Sequence, residues 1–222
     1  MEQKPDISGM TGDEKLQYFL DYYLIKTLVV IAAAVFVFIT VRDIIRPEQE
    51  YALQIAVYDA ALTDREKQDI SAMVQSVLNT DLPVELDDTY HADNDRDLLR
   101  IVSLSESRKL DAVIAGRKTL EWLAGYGYFK DLEQTCDETF LAKNRENLLF
   151  MHGLAVSDDG LLKEGAEGSG EVYAAGFSLA GTDLGMHLSA LPDAAVGVIA
   201  ESEHLPEIQR LLDNGKGGTD NE

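Results

Sequence analysis

The chain has one cysteine, four histidines and few basic residues among its 222 positions. The single cysteine, Cys136, excludes an intrachain disulfide and any metal cluster built on several thiolates. Its 19 lysines and arginines stand against 40 acidic residues, which gives a formal net charge of -21. A chain this acidic repels nucleic-acid phosphates and anionic lipid headgroups, so we expect no nucleic-acid partner and no peripheral membrane role.

One long apolar run stands near the N-terminus. Residues 24–45 read LIKTLVVIAAAVFVFITVRDII, and the stretch from Leu28 to Ile39 contains no charged residue. About 20 apolar residues, at about 1.5 Å each, cross a bilayer, and the tyrosines just before the run suit a membrane interface. The run therefore predicts a single transmembrane helix at residues 24–45, with a buried helix of a soluble protein as the alternative.

This run divides the chain into five predicted segments. They are a cytoplasmic leader with interfacial aromatics at 1–23, the transmembrane helix at 24–45, a linker at 46–50, an α/β domain at 51–213 and a disordered tail at 214–222. Basic residues nearly balance across the run, so the orientation is inferred from the short leader, which usually stays inside. We expect a single-pass protein of the cell membrane with its acidic domain extracytoplasmic.

Strands and helices alternate in the predicted domain. Short apolar runs predict strands at 52–58, 84–90, 110–115 and 195–200, and amphipathic periodicity predicts helices after Thr63, at 94–107 and at 118–124. Thr63 and Glu66 have the spacing of a capping box. Alternating strands and helices imply crossover connections and a mainly parallel, three-layer α/β sheet.

The order is less regular after Gly127. The pattern predicts a helix at 137–147, two strands at 149–156 and 171–179 that can pair as a hairpin, and a final helix with Pro206 in its first turn. Residues 157–170 are rich in Gly, Asp and Glu and predict an exposed flexible loop.

Three stretches resemble the extracytoplasmic solute-binding proteins of ABC transporters, which have the periplasmic-binding-protein fold of the second type. They are residues 110–133 (LDAVIAGRKTLEWLAGYGYFKDLE), 172–187 (VYAAGFSLAGTDLGMH) and 196–212 (VGVIAESEHLPEIQRLL). The resemblance implies the α/β fold of one lobe of such a protein, a membrane transporter or other envelope protein as partner, and no enzymatic activity. Only about fifty residues, from Thr135 to Leu184, are left for a second lobe, too few for a core of normal depth.

Ligand contacts are expected where parallel strands end. Asp59 follows the first predicted strand, and Gly116 and Arg117 follow the third, so these residues should meet at the carboxyl ends of the strands. Tyr126 and Tyr128 follow shortly after and can stack on a sugar or a peptide, although such clusters are more often packing. These five residues are the predicted ligand-binding set.

Four motifs for other chemistry fail on inspection. Arg117 replaces a glycine that a phosphate-binding loop requires before Lys118, and Leu98 replaces the glycine of a calcium loop built on the acidic run at 93–97. The histidines show no i, i+4 pair, which disfavours a zinc site. Ser178, Asp193 and His204 follow the chain order of an α/β-hydrolase, but the elbow motif around Ser178 lacks its last glycine.

These observations favour a non-enzymatic accessory or binding protein without a cofactor or metal. Its outer domain would contact a transporter or another envelope protein. The alternative is a working receptor for a small ligand (sugar, amino acid or peptide) of an ABC transporter, and a hydrolase is a remote third reading.

Overall fold

The structure is a computed structural model that describes residues 11–45, 49–155 and 167–214 and, within the first helix, the side chains of residues 11–13, 16, 17, 24 and 27–38. The chain divides into two compact units, Met1–Gln49 and Glu50–Glu222. Parts of the predicted leader (1–10), linker (46–48) and long loop (157–166), the last residue of the predicted strand at 149–156, and most of the tail (215–222) lie outside these ranges.

In its described residues the first unit contains one helix, α1, which runs for 34 residues from Gly12 to Ile45. Among the described residues no helix is both long and apolar enough to cross a membrane. The predicted transmembrane helix at 24–45 is therefore corrected, and with it the single-pass localisation and extracytoplasmic placement.

The second unit contains six strands and seven α-helices among its described residues. The strands are β1 Leu53–Tyr58, β2 Val84–Tyr90, β3 Ala112–Gly116, β4 Leu148–His152, β5 Val172–Ser178 and β6 Ala194–Val198. The helices are α2 Asp64–Leu78, α3 Asp95–Glu106, α4 Arg117–Gly125, α5 Leu132–Thr135, α6 Glu138–Asn144, α7 Asp183–Met186 and α8 Leu205–Asn214, and a 3₁₀ turn spans Arg145–Asn147.

All six strands join one sheet in the order β2-β1-β3-β6-β5-β4. The neighbours of β1, namely β2 and β3, pair with it in parallel, whereas the β3–β6, β6–β5 and β5–β4 pairs are antiparallel. The α/β class is as predicted, but the sheet is mixed, so the prediction of a mainly parallel sheet is wrong. The reason is that β6 returns against β3 and places the β4–β5 hairpin in antiparallel pairing beyond it.

The central strands β1, β3 and β6 are buried because apolar residues cover both faces of the sheet there. Leu53, Ile55 and Val57 of β1 belong to the core on one face, while Ala56 and Tyr58 belong to the core on the other. Successive residues of a strand point to opposite faces, so a strand buried on both sides reads as a continuous apolar run. Helices α2 and α8 cover the first face, and α3 and α4 supply the apolar residues of the second.

The predicted capping box at the start of α2 is confirmed. Thr63 Oγ1 accepts the Glu66 N–H, and the Glu66 carboxylate accepts the Thr63 N–H at 2.8 Å. Glu66 also accepts the hydroxyl of Ser189 at 2.7 Å, in the connection that leads to β6. The hydrogen bond from Ser189, followed by those from Thr63, lowers the pKa of Glu66 to about 2. The hydrogen bond between Ser189 and Glu66 thus links the start of α2 to a segment more than a hundred residues away in the sequence.

Residues 135–184 do not form a second sheet in the described part of the chain. Their strands, β4 and β5, extend the same sheet beyond β6. Phe140 of α6 packs against Phe177 of β5 with ring centroids 5.8 Å apart. The described residues of the second unit therefore make one layered lobe rather than two that face each other.

Candidate functional site

The strand order places a topological switch point at the carboxyl ends of β1 and β3. The chain leaves β1 towards β2 on one side and then crosses back to β3 on the other. Where connections diverge in this way, ligands of open α/β sheets bind beyond the carboxyl ends of the two strands. Asp59 directly follows β1, and α4 begins directly after β3. We call Asp59, Gly116, Thr119 and Asp193 the carboxyl crevice.

Asp59 is held in place from two neighbouring elements. It adopts a left-handed backbone conformation with φ 56°, which Asp tolerates better than most residues. Its Oδ1 accepts the Ala92 N–H at 2.9 Å, and its Oδ2 accepts the Thr119 hydroxyl at 3.0 Å. The side chain is nevertheless exposed. Both donors are neutral groups, and the two carboxylate oxygens have further lone pairs for another group.

Helix α4 presents its N-terminus to the same crevice. Its N-cap, Gly116, has no side chain with which to cap the helix. A β-carbon built on Gly116 would lie 3.3 Å from Asp193 Oδ1, so the Asp193 carboxylate sits beside the cap. Thr119, which binds Asp59, is the third residue of the helix. The positive end of the α4 dipole therefore faces two carboxylates.

This arrangement reverses the usual preference of a helix N-terminus for anions. Free N–H groups at such an end ordinarily attract phosphate or carboxylate ligands. Here the protein supplies the negative charges itself through Asp59 and Asp193, in a chain whose net charge is -21. Arg117 and Lys118, the exposed first two residues of α4, offset part of this charge, but a second anion placed at the two carboxylates would still meet like charge at close range. The carboxyl crevice is therefore suited to an ammonium or guanidinium group.

The structure brings together three of the five predicted ligand residues. Asp59, Gly116 and Arg117 lie around the carboxyl crevice. Tyr126 and Tyr128 lie beyond the far end of α4, a helix of nine residues that is about 13 Å long. The five predicted residues therefore do not form one contiguous site.

The two tyrosines form an aromatic cluster with Trp122. The Trp122 and Tyr126 rings meet edge to face at 5.4 Å, and the Tyr126 and Tyr128 rings stack at 5.8 Å. Desolvation by burial, and then the neighbouring Tyr126, raises the pKa of Tyr128. All three side chains are half-buried, so the cluster is packed against the domain rather than projected from it.

The hydrolase order of residues does not correspond to a catalytic arrangement. Asp193 precedes β6 and His204 follows it, so the whole strand separates them. Ser178 Oγ accepts the Ala180 N–H at 3.4 Å, while His204 Nδ1 contacts Asp111 Oδ1 at 2.8 Å. A triad needs the histidine within hydrogen-bond reach of the serine, and these two residues have other partners. Within the described ranges, no group of three or more His, Cys, Asp and Glu residues is placed to hold a metal ion.

A polar network at the opposite end of the sheet was not predicted. Asp111, which is 4% exposed, accepts the Gln54 N–H at 2.8 Å, the Ser202 hydroxyl at 2.7 Å and the contact from His204. We call Asp111, Ser202 and His204 the amino network. The signal in the sequence was an aspartate immediately before an apolar run. It could not identify Ser202 and His204 as partners, because they lie about ninety residues later.

Comparison with known proteins identifies no relative. No family model, curated protein or solved structure matches this chain. Evidence on function therefore comes from the geometry of the carboxyl crevice and its surroundings.

Proposed function

We propose that residues 50–214 form a non-enzymatic binding domain that takes a positively charged segment of a partner protein at the carboxyl crevice. The observation that carries this proposal is the pair of carboxylates, Asp59 and Asp193, beside the N-terminus of α4. Asp59 is fixed by Ala92 and Thr119 but remains exposed. It is thus oriented in advance of binding, which reduces the entropy lost when a partner is bound.

The shape of the domain favours a protein segment over an enclosed solute. A small-ligand receptor buries most of its ligand's surface, which a single open lobe does poorly. Among the described residues, β4 and β5 extend the one sheet instead of facing it. A lysine or arginine side chain needs only its charged end held, and the rest of the partner covers the crevice. Electrostatic attraction to the acidic chain also accelerates association.

The resemblance to solute-binding proteins of ABC transporters remains a prediction. It makes a transporter or envelope protein the expected partner class, and the layered α/β lobe with residues Asp59, Gly116 and Arg117 at its carboxyl crevice is compatible with it. The small-ligand receptor remains the alternative prediction. Asp59 and Asp193 would then select a ligand with an amino group.

Peptide binding to the full chain tests the proposal. Fluorescence anisotropy would compare a short lysine-rich and arginine-rich peptide with a glutamate-rich peptide of equal length. The double substitution Asp59→Asn, Asp193→Asn should weaken binding of the basic peptide at least about tenfold, which is about 1.4 kcal/mol. Charge-assisted hydrogen bonds contribute roughly 1.5–3 kcal/mol each, so two of them suffice for that effect.

A matched control separates the crevice from the general acidity of the chain. Asp81→Asn, Glu106→Gln removes the same two charges from exposed positions near the amino ends of β2 and β3. The control variant should lose no more than about twofold in affinity, because exposed charges farther than about 8 Å are screened at physiological salt. Equal losses in the two double variants would refute a site at the carboxyl crevice.

A further inference from the structure

The two outer strands of the sheet differ sharply in charge. Strand β2 reads VELDDTY and carries Glu85, Asp87 and Asp88. Strand β4 reads LLFMH, and residues 147–155 contain no lysine, arginine, aspartate or glutamate. Charged side chains on an outer strand prevent pairing with other chains, and an uncharged apolar outer strand invites it. Only β2 has this protection.

The β4 strand also has the regular backbone that pairing requires. Among the described residues it pairs with β5 alone, and no other described strand lies along its outer side. The register shift in the hairpin leaves Ala175 of β5 without a partner, and β4 itself has no extra residue. A bulge within an outer strand bends that strand and hinders its pairing with another chain. This bulge lies on the inner neighbour.

Apolar side chains accompany the open strand. Phe150, at the centre of β4, is 46% exposed, and Val172 of β5 is 54% exposed. Phe150 pairs with Ala174, so it shares a face of the sheet with Val172, two residues along the same strand. The result is an exposed apolar strip beside unpaired backbone groups.

We infer that β4 is the interface of a symmetric dimer in which β4 of two copies pairs antiparallel about Phe150. A twofold axis at the central residue places Phe150 opposite its own copy, Leu149 opposite Met151, and Leu148 opposite His152. An interface of this kind is self-complementary, since both copies contribute the same residues. Aromatic pairs directly opposite each other across two strands add stability.

Within the second unit, charge favours a second copy at β4 over the other outer strand, β2. Two chains of net charge -21 repel each other, and the repulsion is least where neither surface carries a carboxylate. Residues 147–155 are such a surface. A basic partner would be drawn to the acidic surfaces instead, for example to β2. The uncharged strand therefore suits a copy of the same chain.

Analytical ultracentrifugation of the full chain tests the dimer. Wild-type protein should show a reversible monomer–dimer equilibrium, and Phe150→Lys should weaken it at least about tenfold, because two lysines would face each other across the axis. Leu99→Lys is the matched control, since Leu99 is 69% exposed on α3. Association should strengthen as salt rises from about 0.01 to about 0.15 M, where screening shortens the Debye length from about 30 to about 8 Å.

Cross-linking provides a second readout that does not depend on affinity. In a Cys136→Ser background, Phe150→Cys should form a covalent dimer under mild oxidation, because directly opposite β-carbons in such a pair lie about 5 Å apart. Leu99→Cys in the same background should form at least about tenfold less. A monomer at all concentrations, equal weakening by Phe150→Lys and Leu99→Lys, or equal cross-linking at the two cysteines would each overturn the inference.

Discussion

The two ends of the sheet place aspartates in opposite situations. At the amino end, Asp111 is buried and receives three contacts, from Gln54, Ser202 and His204. At the carboxyl end, Asp59 is exposed and accepts hydrogen bonds from two neutral donors, Ala92 and Thr119. The first carboxylate is enclosed by its partners, while the second is held firmly and left accessible.

This difference indicates that Asp111 contributes to the stability of the fold and that Asp59 is available for binding. A buried carboxylate that links β1, β3 and the segment after β6 fastens distant parts of the chain. Removing it leaves donors without acceptors, which is costly. An exposed carboxylate contributes little to stability, since solvent replaces its partners. The amino network should therefore be sensitive to substitution in unfolding experiments, and the carboxyl crevice in binding experiments.

Asp111→Ala should have the largest effect on stability. It leaves the Gln54 N–H and the Ser202 hydroxyl without their acceptor and His204 without its carboxylate. We expect a loss of about 3 kcal/mol in the free energy of unfolding, measured by urea denaturation. Asp81→Ala, at an exposed position, serves as the control and should change stability by less than about 0.5 kcal/mol. A loss below about 1 kcal/mol for Asp111→Ala would contradict the role of the amino network.

Asp88→Asn should have an intermediate and pH-dependent effect. Asp88 accepts the Leu62 N–H at 2.8 Å and contacts Lys67 Nζ at 2.6 Å, and thereby supports the segment after Asp59. Burial alone would raise the pKa of Asp88, but the hydrogen bonds from Lys67 and Leu62 and the charge of Lys67 outweigh it and lower that pKa. We expect the substitution to cost about 1–2 kcal/mol at neutral pH.

The sign of the pH dependence follows from the lowered pKa. A carboxyl group with a lower pKa in the folded state stabilises the fold above its ordinary pKa, and this stabilisation disappears as pH falls through the folded-state pKa. The difference between wild type and Asp88→Asn should thus be constant from about pH 7 to about pH 5 and shrink in stronger acid. Urea denaturation at several pH values measures it. A difference that grows in acid would rule out this account of Asp88.

Asp59→Asn should have the smallest effect on stability. Asparagine accepts a left-handed conformation and keeps an oxygen for the Ala92 N–H. We expect a change in the free energy of unfolding below about 0.5 kcal/mol. The same variant should weaken binding of a basic peptide. A loss of more than about 2 kcal/mol in stability would mean that Asp59 has a structural role like that of Asp111.

Strands and helix ends that depend on residues close together in the sequence could be predicted from the sequence. The apolar runs at 52–58, 110–115 and 195–200 correspond closely to β1, β3 and β6, because strands buried on both faces read as continuous apolar segments. The capping box of Thr63 and Glu66 was equally visible, since its two residues are three positions apart. These features depend on neighbours in the sequence.

Strand direction and distant polar contacts were not predictable in the same way. The run that forms β6 has the same composition whether it pairs parallel or antiparallel with β3, so its reversal left no local signal. The three partners of Asp111, namely Gln54, Ser202 and His204, are separated from it by 57, 91 and 93 positions. At the carboxyl crevice, topology placed Asp59 beside Gly116 and Arg117 as expected from the ends of parallel strands. Asp193 was missed because it precedes an antiparallel strand.

The position of β6 also determines how this sheet can assemble as the chain is synthesised. Strands β1 to β3 can pair among themselves, and β4 can pair with β5, but β6 is the strand that joins the two groups. It emerges from the ribosome last, and its pairing with β3 closes a loop of some eighty residues, which is a slow step. Until then β3 and β5 each expose an open side to other nascent chains. Synthesis through β6 is therefore a condition for a continuous sheet, and chains interrupted before residue 194 would carry two unjoined pieces.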